Sequence, residues 1–125
     1  MEKMVTDNRI LIADSDHKTR DLVSAFLTYQ GYNIVSHKNN TPIFDTICAQ
    51  NIGIVIAELS HLHSIAPNFK ELAKKLSPHL MLIGYGGKDE KTPHLSGDES
   101  FFFLQKPLNL DELESLVMRA CESQA

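Results

Sequence analysis

Short apolar runs alternate along this chain with longer stretches in which apolar residues recur at helical spacing. Arg9-Ile10-Leu11-Ile12-Ala13 is apolar at nearly every position and ends in the polar cluster Asp14-Ser15-Asp16. A run of this kind, rich in β-branched residues and without polar alternation, suits a parallel strand covered on both faces. Over residues 17–30, Leu22, Val23, Phe26 and Leu27 repeat at helical spacing. Asp16 stands where it can cap that helix, and Gly31 suits the left-handed residue that closes it. Residues 32–36 read as a second strand. Thr41-Pro42 then opens a helix in the cap-then-proline order, with Ile43, Phe44, Ile47 and Cys48 on its inner face. Gly53-Ile54-Val55-Ile56-Ala57 is a third strand and runs straight into Glu58. Ile65, Phe69, Leu72, Ala73 and Leu76 make the next helical stripe, stopped by Ser77-Pro78. Residues 80–83 and 101–104 are apolar runs of strand length. Asn109 with Glu112 resembles a capping box, and Leu113, Leu116, Val117 and Ala120 give the last helix its core face.

One segment breaks the rhythm. GGKDEKTPHLSGDES, residues 86–100, holds three glycines, one proline and a single large apolar side chain, Leu95. A helix there would have almost no core face, so a loop or one or two turns is expected. The whole pattern is α/β, (βα)5 with a degraded or short fourth helix. Such alternation implies a doubly wound, five-stranded parallel sheet with helices on both faces. In these folds the chemistry sits just beyond the carboxyl ends of the strands.

Composition narrows the function classes. With 125 residues, 42% apolar and 22% charged, the chain has the make-up of one globular domain and not of a disordered one. Lys plus Arg is 12 against 16 Asp plus Glu, a net charge of −4. An acidic chain is poorly suited to nucleic acid, and no basic cluster is present to hold it on an anionic membrane. The apolar runs are far shorter than the ~20 residues a bilayer span needs, and MEKMVTDNR has no secretory core. The expectation is a cytoplasmic single domain over residues 1–125, with its core at about 9–122. Cys48 and Cys121 both fall on apolar helix stripes without metal-type spacing, so buried free thiols are expected.

Strand one ends in Asp14-Ser15-Asp16, strand three in Glu58, strand four in Gly84 and strand five in Gln105-Lys106-Pro107. Three acids and a lysine therefore stand to converge on one crevice. The segments RILIADSDHKTR, IGIVIAEL and FLQKPLNLDEL, in this order and spacing, make the chain resemble the receiver domains of bacterial response regulators, with their flavodoxin-like sheet. The resemblance implies an acidic pair and a strand-three Asp that bind Mg²⁺. It also implies phosphoryl transfer from a kinase phosphohistidine to that Asp, and contacts to the phosphoryl oxygens from a strand-four Ser or Thr and a Lys-Pro lysine. Such a site works by positioning and charge neutralisation. By resemblance, Asp14 matches the first acid, Lys106 and Pro107 match the lysine and its proline, and Phe103 holds the switch-aromatic position.

The remaining positions depart from that pattern. Ser15 stands where the second acid belongs, Glu58 where the phosphoacceptor belongs, and Gly84 where a hydroxyl residue belongs. Asp16, next in line, would partly cover for Ser15. Losing a direct carboxylate weakens a Mg²⁺ site, which demands near-ideal oxygen geometry. A Glu carboxylate is displaced by roughly 1 Å relative to Asp, a shift that can cost ~100-fold in rate. Gly84 offers no donor. These three changes point to a pseudo-receiver: no catalytic residues, no metal ligands, no cofactor, and Mg²⁺ binding weak or lost. In place of chemistry, a fixed Glu58–Lys106 pair is expected to occupy the site, against the plainer reading of Glu58 as a solvated acid.

Other features carry less. His61 and His63 have a metal-type spacing beside acids, yet loop histidines are usually just that. Gly84-Tyr85-Gly86-Gly87 would present backbone N–H groups to an anion but lacks the Lys and Ser/Thr of a phosphate loop. Phe101-Phe102-Phe103 is expected to be core in a buried strand, with one ring at most reaching the sheet edge. His17, Lys18 and Arg20 read as a solvated basic face. The function expected is that of an interaction module, with a protein partner or output domain, or a second copy of itself. Two rivals remain, a receiver still phosphorylated by a histidine kinase and a flavodoxin-like small-molecule binder.

Overall fold

Residues 9–37, 42–87 and 100–123 are described by the computed structural model. They form β1 (Arg9–Ala13), α1 (His17–Tyr29), β2 (Asn33–Ser36), α2 (Ile43–Ala49), β3 (Ile52–Glu58), α3 (Leu59–Ile65), α4 (Phe69–Leu76), β4 (Met81–Gly86), β5 (Phe101–Gln105) and α5 (Leu110–Ser123). The strands make one sheet in the order β2-β1-β3-β4-β5, every pair parallel. This is the flavodoxin-like doubly wound order, and its crevice lies above β1 and β3.

The continuous apolar runs follow from burial on both faces. Ile10, Ile12, Ile54, Ile56, Ile83 and Tyr85 face one layer, where Val23 and Leu27 of α1 meet Leu113, Val117 and Ala120 of α5. Leu11, Ala13, Val55 and Ala57 face the other, against Ile43 and Ile47 of α2, Leu62 of α3, and Phe69 and Ala73 of α4. Each fully buried aliphatic side chain contributes roughly 1.5–3 kcal/mol. Three of the predicted helix-end features are formed. The Asp16 carboxylate accepts the Lys18 N–H, Gly31 takes a φ of 100°, and Asn109 Oδ1 accepts the Glu112 N–H at 2.9 Å.

Several expectations are corrected. The stripe from Ile65 to Leu76 is not one helix but two, α3 and α4, parted at Ala66-Pro67-Asn68. Proline disfavours helical backbone at the residue before it, and Ala66 leaves the helical region at φ −150° and ψ 76°. The break parts Ile65 from the α4 stripe, and within α4 only Phe69 and Ala73 are buried, while Leu72 and Leu76 on the same helix, and Ile65 on α3, are exposed. Leu22 is exposed too, because α1 buries only the narrow stripe of Val23 and Leu27. Cys48 is exposed on α2 and only Cys121 is buried. Pro42 caps α2 from outside instead of entering its first turn, and Thr41 lies outside the described residues. Phe101, Phe102 and Phe103 are all half-buried, since β5 is an edge strand, and only Leu104 is fully core. Most of the segment expected to be a loop, residues 88–99, lies outside the described residues.

Candidate functional site

The sheet register brings four side chains to the carboxyl ends of the strands on one face. Ile12 pairs with Ile56, Glu58 with Tyr85, and Tyr85 with Leu104. Side chains two apart share a face, so Asp14, Glu58, Tyr85 and Lys106 continue the rows begun by Ile12, Ile56, Ile83 and Leu104.

Asp14 is 2% exposed, and a charge so placed needs partners. Its Oδ1 accepts the Asp16 N–H at 2.8 Å, and its Oδ2 accepts the Tyr85 hydroxyl. Its backbone carbonyl accepts Arg20 Nη1 at 2.9 Å. Tyr85 is fully buried. Burial, then the bond to Asp14, then the charges of Asp14, Glu58 and Asp16 push its phenol well above the usual range. It therefore stays protonated and keeps donating.

Lys106 Nζ donates to Glu58 Oε2, with the lysine side chain 42% exposed and the glutamate 16%. The same ammonium lies 5.9 Å from the centroid of the Tyr85 ring. Lys106 is held in place by its own N–H, which donates to the Gly86 carbonyl at 2.7 Å, and its bond to Pro107 is cis. The two acids are thus linked through one ring: Tyr85 donates to Asp14 at its hydroxyl and carries the Glu58-bound ammonium beside it.

The remaining predicted residues are placed differently. Ser15 and Asp16 are exposed. Asp16 uses Oδ1 for the Lys18 N–H at 3.2 Å and Oδ2 for the Thr19 hydroxyl at 2.7 Å. The Thr19 bond, followed by the Lys18 bond, holds its carboxyl below the usual range. It is committed to capping α1 and does not stand in for the acid missing at Ser15. Gly84 pairs with Ala57 and Phe103, and a Cβ built on it would fall 2.4 Å from Leu59 Cδ2 and 2.9 Å from Leu59 Cγ. Leu59 therefore fills the space a hydroxyl residue would need.

The lesser candidates find structural employment. Gly84, Tyr85 and Gly86 belong to β4, so they form no anion-binding loop. His17 Nε2 pairs with Asp21 at 3.0 Å and its Nδ1 lies 3.3 Å from Arg20. His61 has a buried Nε2 without a hydrogen-bond partner, but His63 is exposed. Among the described residues no group of three His, Cys, Asp or Glu is placed to hold a metal. The divalent cation implied by the resemblance does not suit this donor set: both Asp14 oxygens are engaged, Ser15 has no carboxylate, and Glu58 faces an ammonium.

Sequence reasoning missed Tyr85 and Leu59. Tyr85 was legible as the third member of the alternation Met81, Ile83, Tyr85, had β4 been carried through Gly84. Leu59 gives no such signal, because its role depends on a glycine distant in sequence.

No family model matches the chain. Among curated proteins it is similar to NtrX-like response regulators, 27% identical over 120 residues in Rickettsia typhi and 26% in Rickettsia felis. These alignments cover 90% of this chain and 25% of each relative, so the chain spans about a quarter of the curated relatives it matches. Among solved structures, NtrX from Brucella abortus in complex with ADP aligns at a TM-score of 0.77 and 21% identity, over 95% of this chain and 27% of that one. A signal receiver domain from Vibrio parahaemolyticus aligns at 0.80 and 15% identity, over 95% of this chain and 93% of its own. No helix among the described residues is long and apolar enough to cross a membrane. The fold of this chain is that of the response-regulator receiver domains.

Proposed function

We propose that the chain is a receiver domain of two-component signalling that is not phosphorylated at the usual position and acts by binding a protein. The observation that carries this is the Lys106–Glu58 pair: the lysine that would meet a phosphoryl group is already held by the residue at the acceptor position. Two further features support it. Leu59 occupies the space beside Gly84 where a hydroxyl would reach a phosphoryl oxygen, and Asp14 is turned toward Tyr85. Phosphoryl transfer depends on positioned charges, and here each of those charges has another partner. The domain is then a binding module and not an enzyme, cytoplasmic, without cofactor, and read by a kinase-type or output-domain partner or by a second copy.

The rival reading, a receiver that still accepts phosphate, is separated by one experiment. The protein is incubated with acetyl phosphate and Mg²⁺ and its intact mass is followed. The proposal expects an unchanged mass, and a stoichiometric gain of about 80 Da would overturn it. The small-molecule reading has less support. A cavity of about 40 Å³ lies at the amino ends of β4 and β5, against Phe69, Leu80, Leu82 and Phe101. Small-molecule pockets are usually ~300 Å³ or more.

A further inference from the structure

Asp14 is the one acid of the expected pair that stands in its place, and it is almost fully buried. A buried carboxylate must have its charge met by donors or by a cation. Here donors do it: the Asp16 N–H holds Oδ1 and the Tyr85 hydroxyl holds Oδ2. Any cation approaching Oδ2 competes with that hydroxyl. Tyr85 has little room to yield, since its ring is fully buried in the layer with Ile12, Ile56 and Ile83 and its backbone is fixed opposite Glu58 and Leu104. The Lys106 ammonium, 5.9 Å from the ring centroid, adds a positive charge beside the ring.

We propose that Tyr85 is an internal ligand that takes the place of a divalent cation on Asp14, and that its hydroxyl, more than the missing acid at Ser15, keeps metal from the strand-end site. This deepens the receiver reading above and rests on it. It assigns the loss of metal to a residue that points into the site from β4, instead of to the β1 acidic cluster.

The test is Mn²⁺ titration of the full chain, read by the electron paramagnetic resonance of free Mn²⁺. Four proteins are compared: the natural sequence, Tyr85→Phe, Tyr85→Phe with Asp14→Asn, and Ser15→Asp. Circular dichroism checks that each is folded. Tyr85→Phe is expected to bind Mn²⁺ at least about 10-fold more tightly than the natural sequence, a gain that Asp14→Asn removes. Should Tyr85→Phe melt too low to titrate, Tyr85→Met fills the space without a hydroxyl and takes its place. If the natural sequence and Tyr85→Phe are equally silent, or if Ser15→Asp gains more affinity than Tyr85→Phe, the proposal is overturned and the receiver reading stands. If the natural sequence itself binds Mn²⁺ tightly through Asp14, both fall.

Discussion

Gly84 and Leu59 contend for one space: a Cβ on Gly84 would stand 2.4 Å from Leu59 Cδ2. The glycine lies on β4 between Ala57 of β3 and Phe103 of β5, so its backbone has no freedom to retreat. Restoring a hydroxyl by Gly84→Ser therefore destabilises the protein, by about 1–3 kcal/mol for an overpacked site. Combining it with Leu59→Ala recovers part of that loss. Urea denaturation of the two single variants and the double gives the coupling directly. Additive effects would mean that Leu59 turns away and the space is not shared.

The Glu58–Lys106 pair sets geometry more than stability. With the lysine side chain 42% exposed, solvent screens the attraction. A double-mutant cycle on Glu58→Gln and Lys106→Met is expected to give a coupling below about 1 kcal/mol. A coupling of several kcal/mol would show a pair far better shielded than this one.

Unequal burial within α4 predicts sharply unequal costs along a stripe that looks uniform in sequence. Phe69 is 5% exposed and stacks on Phe44 with ring centroids 5.1 Å apart, whereas Leu76 is 54% exposed. Phe69→Ala should cost about 3 kcal/mol. Leu76→Gln should stay within about 0.5 kcal/mol. Chemical denaturation of each variant checks the ordering, and equal costs would show that Leu76 is packed as deeply as Phe69.

The tyrosines give a signature in alkali. Burial, with lesser contributions from Cys121 and Glu114, pushes the Tyr32 phenol up to about 12, and Tyr85 is pushed further up. Both are raised above their unfolded value, so the stability they lend is present below about pH 10 and lost as the pH climbs past it. At about pH 10.5 neither contributes phenolate absorbance in the folded protein. Tyr32→Phe and Tyr85→Phe should each leave the 295 nm absorbance at that pH unchanged, provided the variants remain folded. A drop in either would show a solvated phenol.

Much of the fold was legible because each strand is buried on both faces and announces itself as an unbroken apolar run. The ends of β1, β3 and β5 were legible for the same reason: Asp14, Glu58 and Lys106 are the first charged residues after such runs. β4 was not, because a glycine after Ile83 reads as a loop, while in the sheet Gly84 is fixed by its neighbours on both sides. That single misread end hid Tyr85. Helical periodicity over-reached at Leu72 and Leu76 because their spacing places them on one apolar stripe with Phe69 and Ala73, while α4 buries only the narrow line of Phe69 and Ala73. Exposure of the phenylalanine run and of Cys48 depends on which strand is at the edge and how far a short helix reaches, which local sequence does not encode.

On the function proposed above, the strand-end site is closed by its own side chains to a phosphoryl group. Titration of the ¹⁵N-labelled protein with beryllofluoride and Mg²⁺, which together mimic a phosphoryl group, tests it most directly in amide spectra. With the site closed, the amides of Glu58, Gly84 and Lys106 do not move. Saturable shifts at these three positions, centred on Glu58, would contradict it.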